Sequence, residues 1–174
     1  MSLSMYDASI PAFVNMLTSL SAILDKAAAH AEAKKIDPSI LLNDRLAPDM
    51  FPLTRQIQIA TDGVKGGAAR LADVEVPSYP DTETTIPELK ARIAKTVTFL
   101  QSIDKAKFDG AEDRSVTMKV GPNDLTFPAK VYLFEFVIPN FYFHATTTYA
   151  ILRHNGIEIG KQNFLAGLAP YFGR

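Results

Sequence analysis

Hydrophobic residues recur at steps of three and four over most of this chain, the spacing of one face of an α-helix. The first such stripe, Ile10, Phe13, Val14, Leu17, Leu20, Leu24, Ala27, Ala28 and Ala31, predicts a helix from about Met5 to Lys35. Pro11 sits early, where a helix tolerates proline, and Lys34 and Lys35 lie in the last turn, where cations suit the helix dipole. Asp37-Pro38 ends the run, and a short helical turn over Pro38 to Leu42 follows. The second stripe, Leu53, Ile57, Ala60, Val64, Gly67, Ala68 and Leu71, predicts a helix from about Pro52 to Leu71. Gly63, Gly66 and Gly67 weaken that helix by roughly 1 kcal/mol each relative to alanine. They are expected to allow close packing on a neighbour. No strand precedes them, and their spacing fits no phosphate loop.

Thr85-Ile86-Pro87-Glu88 has the form of a capping box and opens a third helix ending near Ile103, with stripe Leu89, Ile93, Val97 and Leu100. Ser115 to Val120 alternates, turns at Gly121-Pro122-Asn123-Asp124 and returns through Leu125-Thr126-Phe127, which reads as a small β-hairpin. The fourth helix, about Ala129 to Asn155, carries the stripe Phe134, Val137, Phe141, His144, Thr148 and Leu152. Pro139 is expected to kink it, and Gly156 to cap it. The tail, with Phe164, Leu165, Tyr171 and Phe172, is expected to lie over the bundle. The fold class is therefore all-α: one domain over residues 1–174, an antiparallel up-down four-helix bundle with the hairpin between helices three and four.

Charge and composition narrow the chemistry. Lysine and arginine total 18, aspartate and glutamate 19, and the formal net charge is -1. No basic stripe exists to hold a nucleic acid, so none is expected as partner. No stretch approaches the ~18 apolar residues of a membrane span, so no membrane is expected either. The first residues carry no basic segment followed by an apolar one, so no signal peptide is expected. The absence of cysteine removes disulfides, thiolate metal sites and cysteine nucleophiles. A cytoplasmic location is compatible with all of this.

Three histidines remain as candidate chemistry. His30 lies off the stripe of its helix and is expected to be exposed. His154, in the last turn of helix four, suits the dipole there. His144 falls on the buried stripe, so it is either a core residue with hydrogen-bond partners or a ligand or base in a pocket. His144 and His154 are separated by about 15 Å of helical rise and about 80° of rotation, so one intact helix cannot bring both to one ion. Arg45, Asp49 and Gln56 flank the start of helix two and face the expected mouth of the bundle. If Asp49 is partly buried, Arg45 is its natural partner. Tyr142, Thr146, Tyr149 and Arg153 form a polar-aromatic row, either a second packing face or a self-association surface. No Ser-His-Asp order, nucleotide loop or paired-carboxylate pattern is present.

Several phrases carry a resemblance. They are Met5-Tyr6, Arg45-Leu46-Ala47-Pro48-Asp49-Met50-Phe51-Pro52-Leu53, Phe108-Asp109-Gly110-Ala111-Glu112, Pro139-Asn140-Phe141-Tyr142-Phe143-His144 and Ile151-Leu152-Arg153-His154-Asn155-Gly156. Together they resemble a bacterial family of unknown function within the DinB-like superfamily. The resemblance implies a four-helix bundle, frequently dimeric, with metal-dependent relatives, some of them thiol transferases or related hydrolases. Those relatives carry one histidine near the start of helix two and a His-x-x-x-His pair on helix four. Here His144 matches the first of the pair, Thr148 stands at the second, and helix two has no histidine. No metal or other cofactor is therefore expected. A remnant site would draw on His144 with Thr148, Asp49 or Gln56.

The leading expectation is thus a homodimeric binding protein with a small-molecule pocket near His144 and Asp49. The alternative is a metal-dependent transferase or hydrolase with an unusual ligand set. A third reading is an interaction protein that uses the aromatic face of helix four.

Overall fold

A computed structural model describes residues 4–171; Met1 to Leu3, and Phe172 of the expected tail, lie outside them. Four long helices dominate: α1 (Ile10–Lys34), α3 (Leu53–Leu71), α4 (Ile86–Ser102) and α6 (Ile138–His154). Between them lie α2 (Pro38–Asn43), two short 3-10 turns, the strands β1 (Ser115–Val120) and β2 (Asn123–Pro128), and α5 (Ala129–Val131). The chain ends in α7 (Lys161–Phe164) and a 3-10 segment, Ala166–Tyr171. The molecule is mostly helical, with one small antiparallel hairpin.

The local signals explain the boundaries. Thr85 and Glu88 form the expected reciprocal cap at the start of α4. Asp37 caps α2 through the Ser39 amide. Lys35 takes the left-handed conformation at the end of α1, with φ 54°, and its N–H closes on the carbonyls of Ala31 and Glu32. The hairpin is tighter than expected: only Gly121 and Pro122 link the strands, because Gly121 at φ 60° supplies the positive angle that a two-residue turn needs.

The core runs along facing sides of the long helices. Phe13, Leu17, Leu20 and Leu24 of α1 are fully buried, as are Leu53, Ile57 and Val64 of α3 and Leu89 and Leu100 of α4. α1 packs on α4 and α6, and α3 packs on the same two helices. The glycines of α3 serve this packing. A Cβ on Gly67 would lie 2.6 Å from a Val137 methyl, which leaves room only for hydrogen there.

The entry to α6 corrects the expected stripe. Tyr132–Val137 is a π-helical turn, in which the Ile138 N–H donates to the Leu133 carbonyl five residues back. Pro139, which has no N–H to offer, follows at once. The wider turn rotates Phe134 outward, 49% exposed, and buries Tyr132 and Leu133 instead. His30 is half-buried rather than exposed. The C-terminal segment packs on α1, and Phe164 meets Tyr149 edge to face at 5.7 Å.

Candidate functional site

Gln56, in the first turns of α3, and His144, in the middle of α6, meet although 88 residues separate them. The His144 Nδ1 lies 2.7 Å from the Gln56 Oε1. The Gln56 Nε2 donates to the Phe51 carbonyl at 2.9 Å. That carbonyl can only accept, so the amide nitrogen must face it and the amide oxygen must face histidine. The oxygen in turn can only accept, so Nδ1 carries the proton and Nε2 the lone pair. Burial lowers the His144 pKa, and the nearby Arg55 charge lowers it further, so the ring is neutral at pH 7.

The remaining candidates fall around this pair unevenly. Thr148 is fully buried, but its hydroxyl donates to the His144 carbonyl at 2.9 Å and so closes on its own helix. Arg45 and Asp49 are both exposed. The ion pair anticipated between them is not formed among the described residues. The segment carrying them is held elsewhere, by Asn155 donating to Asp44 at 2.5 Å and by the Leu53 N–H donating to the Asp44 carbonyl. That anchoring leaves Asp49 free to stay in water, where a carboxylate needs no partner. His154 is exposed at the end of α6.

Two exposed aromatic residues adjoin the pair, Phe51 through its carbonyl and Phe143 edge to face with His144 at 5.2 Å. Leu46, Phe51 and Phe143 are 43%, 55% and 57% exposed, unusual for residues this large. A shallow recess of about 440 Å³ lies next to the pair, between Leu46 and Phe143 and beside Pro139, Tyr142 and Thr147, but neither His144 nor Gln56 lines it. The expected self-association row is partly used by the chain itself. The Tyr149 hydroxyl reaches the Ile159 carbonyl, and Arg153 donates to the Ile157 carbonyl at 3.3 Å.

A divalent metal, the group that the resemblance brings to mind, does not fit these donors. His144 offers one imidazole nitrogen without a bond, and the groups beside it are an amide oxygen and a hydroxyl already bonded. Among the described residues, no group of three or more His, Asp or Glu side chains converges as an ion would require.

Among the described residues a larger polar cluster, not anticipated from the sequence, lies elsewhere. Arg92 of α4 is buried between α3 and α4, with Asp62, Asp81 and Glu83 around it. Its trace in the sequence is a second stripe on α3, Gln58, Thr61, Asp62 and Lys65, which runs beside the apolar one at the same helical spacing.

The comparisons agree with this architecture. Residues 5–165 match the family described as Domain of unknown function (DUF1993). A crystal structure of a DinB family member protein from Shewanella denitrificans is similar over 97% of this chain and 95% of that one. It shares 44% sequence identity with this chain, and the TM-score is 0.86. No curated protein matches. The chain belongs to the DUF1993 family, a domain of unknown function within the DinB-like superfamily.

Proposed function

We propose that this protein binds a small organic ligand or a partner at the His144–Gln56 pair and performs no metal chemistry there. The observation that carries this reading is the tautomer. The Gln56 oxygen accepts a hydrogen bond from Nδ1–H, which leaves Nε2 as an acceptor for a ligand N–H or O–H group. The exposed Leu46, Phe51 and Phe143 beside it offer apolar contact, the usual make-up of a small-molecule site. The same exposed apolar residues support assembly as a homodimer. Four long helices, each packed on two others, support the antiparallel up-down order of a bundle. We place the protein in the bacterial cytoplasm. No described helix is long and apolar enough to cross a membrane, and cysteine is absent.

Elemental analysis of protein purified without a histidine tag tests the chemistry. A folded, metal-free chain that still shifts its His144 ring resonances in a fragment screen is the expected result. About one zinc, nickel or iron per chain, lost in His144→Ala, would overturn it and restore the transferase or hydrolase reading.

A further inference from the structure

Residues 72–85 link α3 to α4 without regular structure, and none of residues 78–85 is buried. Ala72 and Val74 still pack on the core, but the outer part of this arm, residues 78–85, places no side chain there. It is held by charge instead. Arg92, 4% exposed, donates from Nε to the Thr61 hydroxyl at 2.8 Å. One of its terminal nitrogens donates to the Pro80 carbonyl at 3.1 Å and to the Glu83 carboxylate at 3.0 Å. Gln58 also donates to Glu83, at 2.9 Å, and Arg55 pairs with Asp81. The Tyr79 ring lies under the ammonium groups of Lys65 and Lys95, at 3.8 and 4.1 Å.

The charges sort by element. The helices supply Arg55, Lys65, Arg92 and Lys95, against Asp62. Glu88, at the edge of the same cluster, is spent on the cap of α4. The arm supplies the two carboxylates, Asp81 and Glu83. Yet the fit is incomplete. The second terminal nitrogen of Arg92 lies 2.9 Å from Asp62 and 3.0 Å from Asp81, and it makes a hydrogen bond to neither although it is buried. A guanidinium presents a planar fork that matches one carboxylate with two parallel bonds. The arm does not supply that geometry on this edge. Buried ion clusters are also a costly way to fix a loop, since apolar packing of similar volume often does as well or better. A cavity of about 300 Å³, lined by Tyr79, Thr82, Glu83, Arg92 and Lys95, gives access to this place.

We propose that the α3–α4 face bearing Arg55, Lys65 and Arg92 is a binding site for a small dicarboxylate, and that Asp81 and Glu83 occupy it as displaceable intramolecular stand-ins. The ligand takes the Arg92 fork with one carboxylate and Arg55, which shares Asp81 with Arg92, with the other. The arm swings away as it binds. This site is separate from the His144–Gln56 pair.

Hydrogen exchange on the full chain tests the exchange of partners, with malonate as probe and sodium chloride at matched ionic strength as control. Malonate is expected to speed exchange in residues 78–85 while α1 stays protected, and chloride is expected to have no such effect. Equal effects of both salts would reduce the release to screening of charge, and no effect would show the arm to be a fixed tie; either would overturn the proposal. The double variant D81N/E83Q removes the internal competitor and is expected to bind malonate about tenfold more tightly in calorimetry. A folded double variant with unchanged affinity would also overturn it. If that variant fails to fold, the exchange experiment on the unaltered chain decides alone.

Discussion

The Gln56 side chain holds His144 in one tautomer: its Oε1 sits 2.7 Å from Nδ1 while its Nε2 is committed to the Phe51 carbonyl. Both residues are buried, at 1% and 7% exposure, so neither group can turn to water if the other is lost. Gln56→Ala should therefore cost roughly 1–3 kcal/mol, the cost of leaving a buried donor unpaired. Urea denaturation measures it. Gln56→Glu should raise the His144 pKa by placing a carboxylate beside the imidazole, seen as an upward move of its NMR titration midpoint.

Acid should weaken the fold through the same residue. The folded pKa of His144 is lowered from 6.5, with burial the larger cause and Arg55 the smaller. Its contribution to stability is therefore fully present above 6.5 and is lost as the pH falls below that value toward the folded pKa, because the unfolded chain takes the proton first. The stability of the wild type should fall as pH drops below 6.5, and His144→Gln should flatten that part of the profile. A parallel slope in both proteins would place the acid sensitivity elsewhere.

Glu83 acts lower on the pH scale. Burial pushes its carboxyl up, but hydrogen bonds from Gln58 and Arg92, together with the Arg92 charge, outweigh that and leave it below its ordinary 4.5. Its contribution is present above 4.5 and is lost as the pH falls through the depressed folded value. Proteolysis within residues 78–85 should rise in that window, and Glu83→Gln should show the raised rate already at neutral pH.

Two neighbouring glycines should respond oppositely to alanine. At Gly67 the new methyl meets Val137 at 2.6 Å, and overpacking of about 1–3 kcal/mol should exceed the gain in helix propensity of about 1 kcal/mol. At Gly66 it meets only the far end of the Arg70 side chain, which can move aside. Gly66→Ala should raise the melting temperature, and Gly67→Ala should lower it.

At the start of α4, Thr85→Ala removes the hydroxyl that accepts the Glu88 N–H. A loss of about 1 kcal/mol is expected, typical of an N-cap. Thermal unfolding compared with Thr85→Ser, which restores the cap, checks that the hydroxyl is responsible.

Much of the fold was legible because its causes are local. The Thr85-x-x-Glu88 cap, the Gly121 turn and the apolar stripes of α1, α3 and α4 each involve residues within a few positions of one another. Phe134 was misread because a stripe assumes 3.6 residues per turn, and the π turn before Pro139 breaks that assumption. His144 and Gln56 were brought together only as members of a remnant site that the resemblance implies; helical spacing alone joins no residues 88 positions apart. Asp49 drew attention through its apolar neighbours, but exposure is set by what covers a residue, and nothing covers this one.

By itself the sequence determined the helical class, the caps and the hairpin, and it placed threonine, not histidine, four residues after His144. Periodicity and capping are properties of adjacent residues, and a missing residue type can be read directly. Only the tertiary structure decided that Gln56 sets the tautomer of His144 and that Arg92 gathers Asp62, Asp81 and Glu83. Those relationships depend on how α3 packs on α4 and α6, and hydrogen bonds and buried charges are satisfied by whatever that packing brings near.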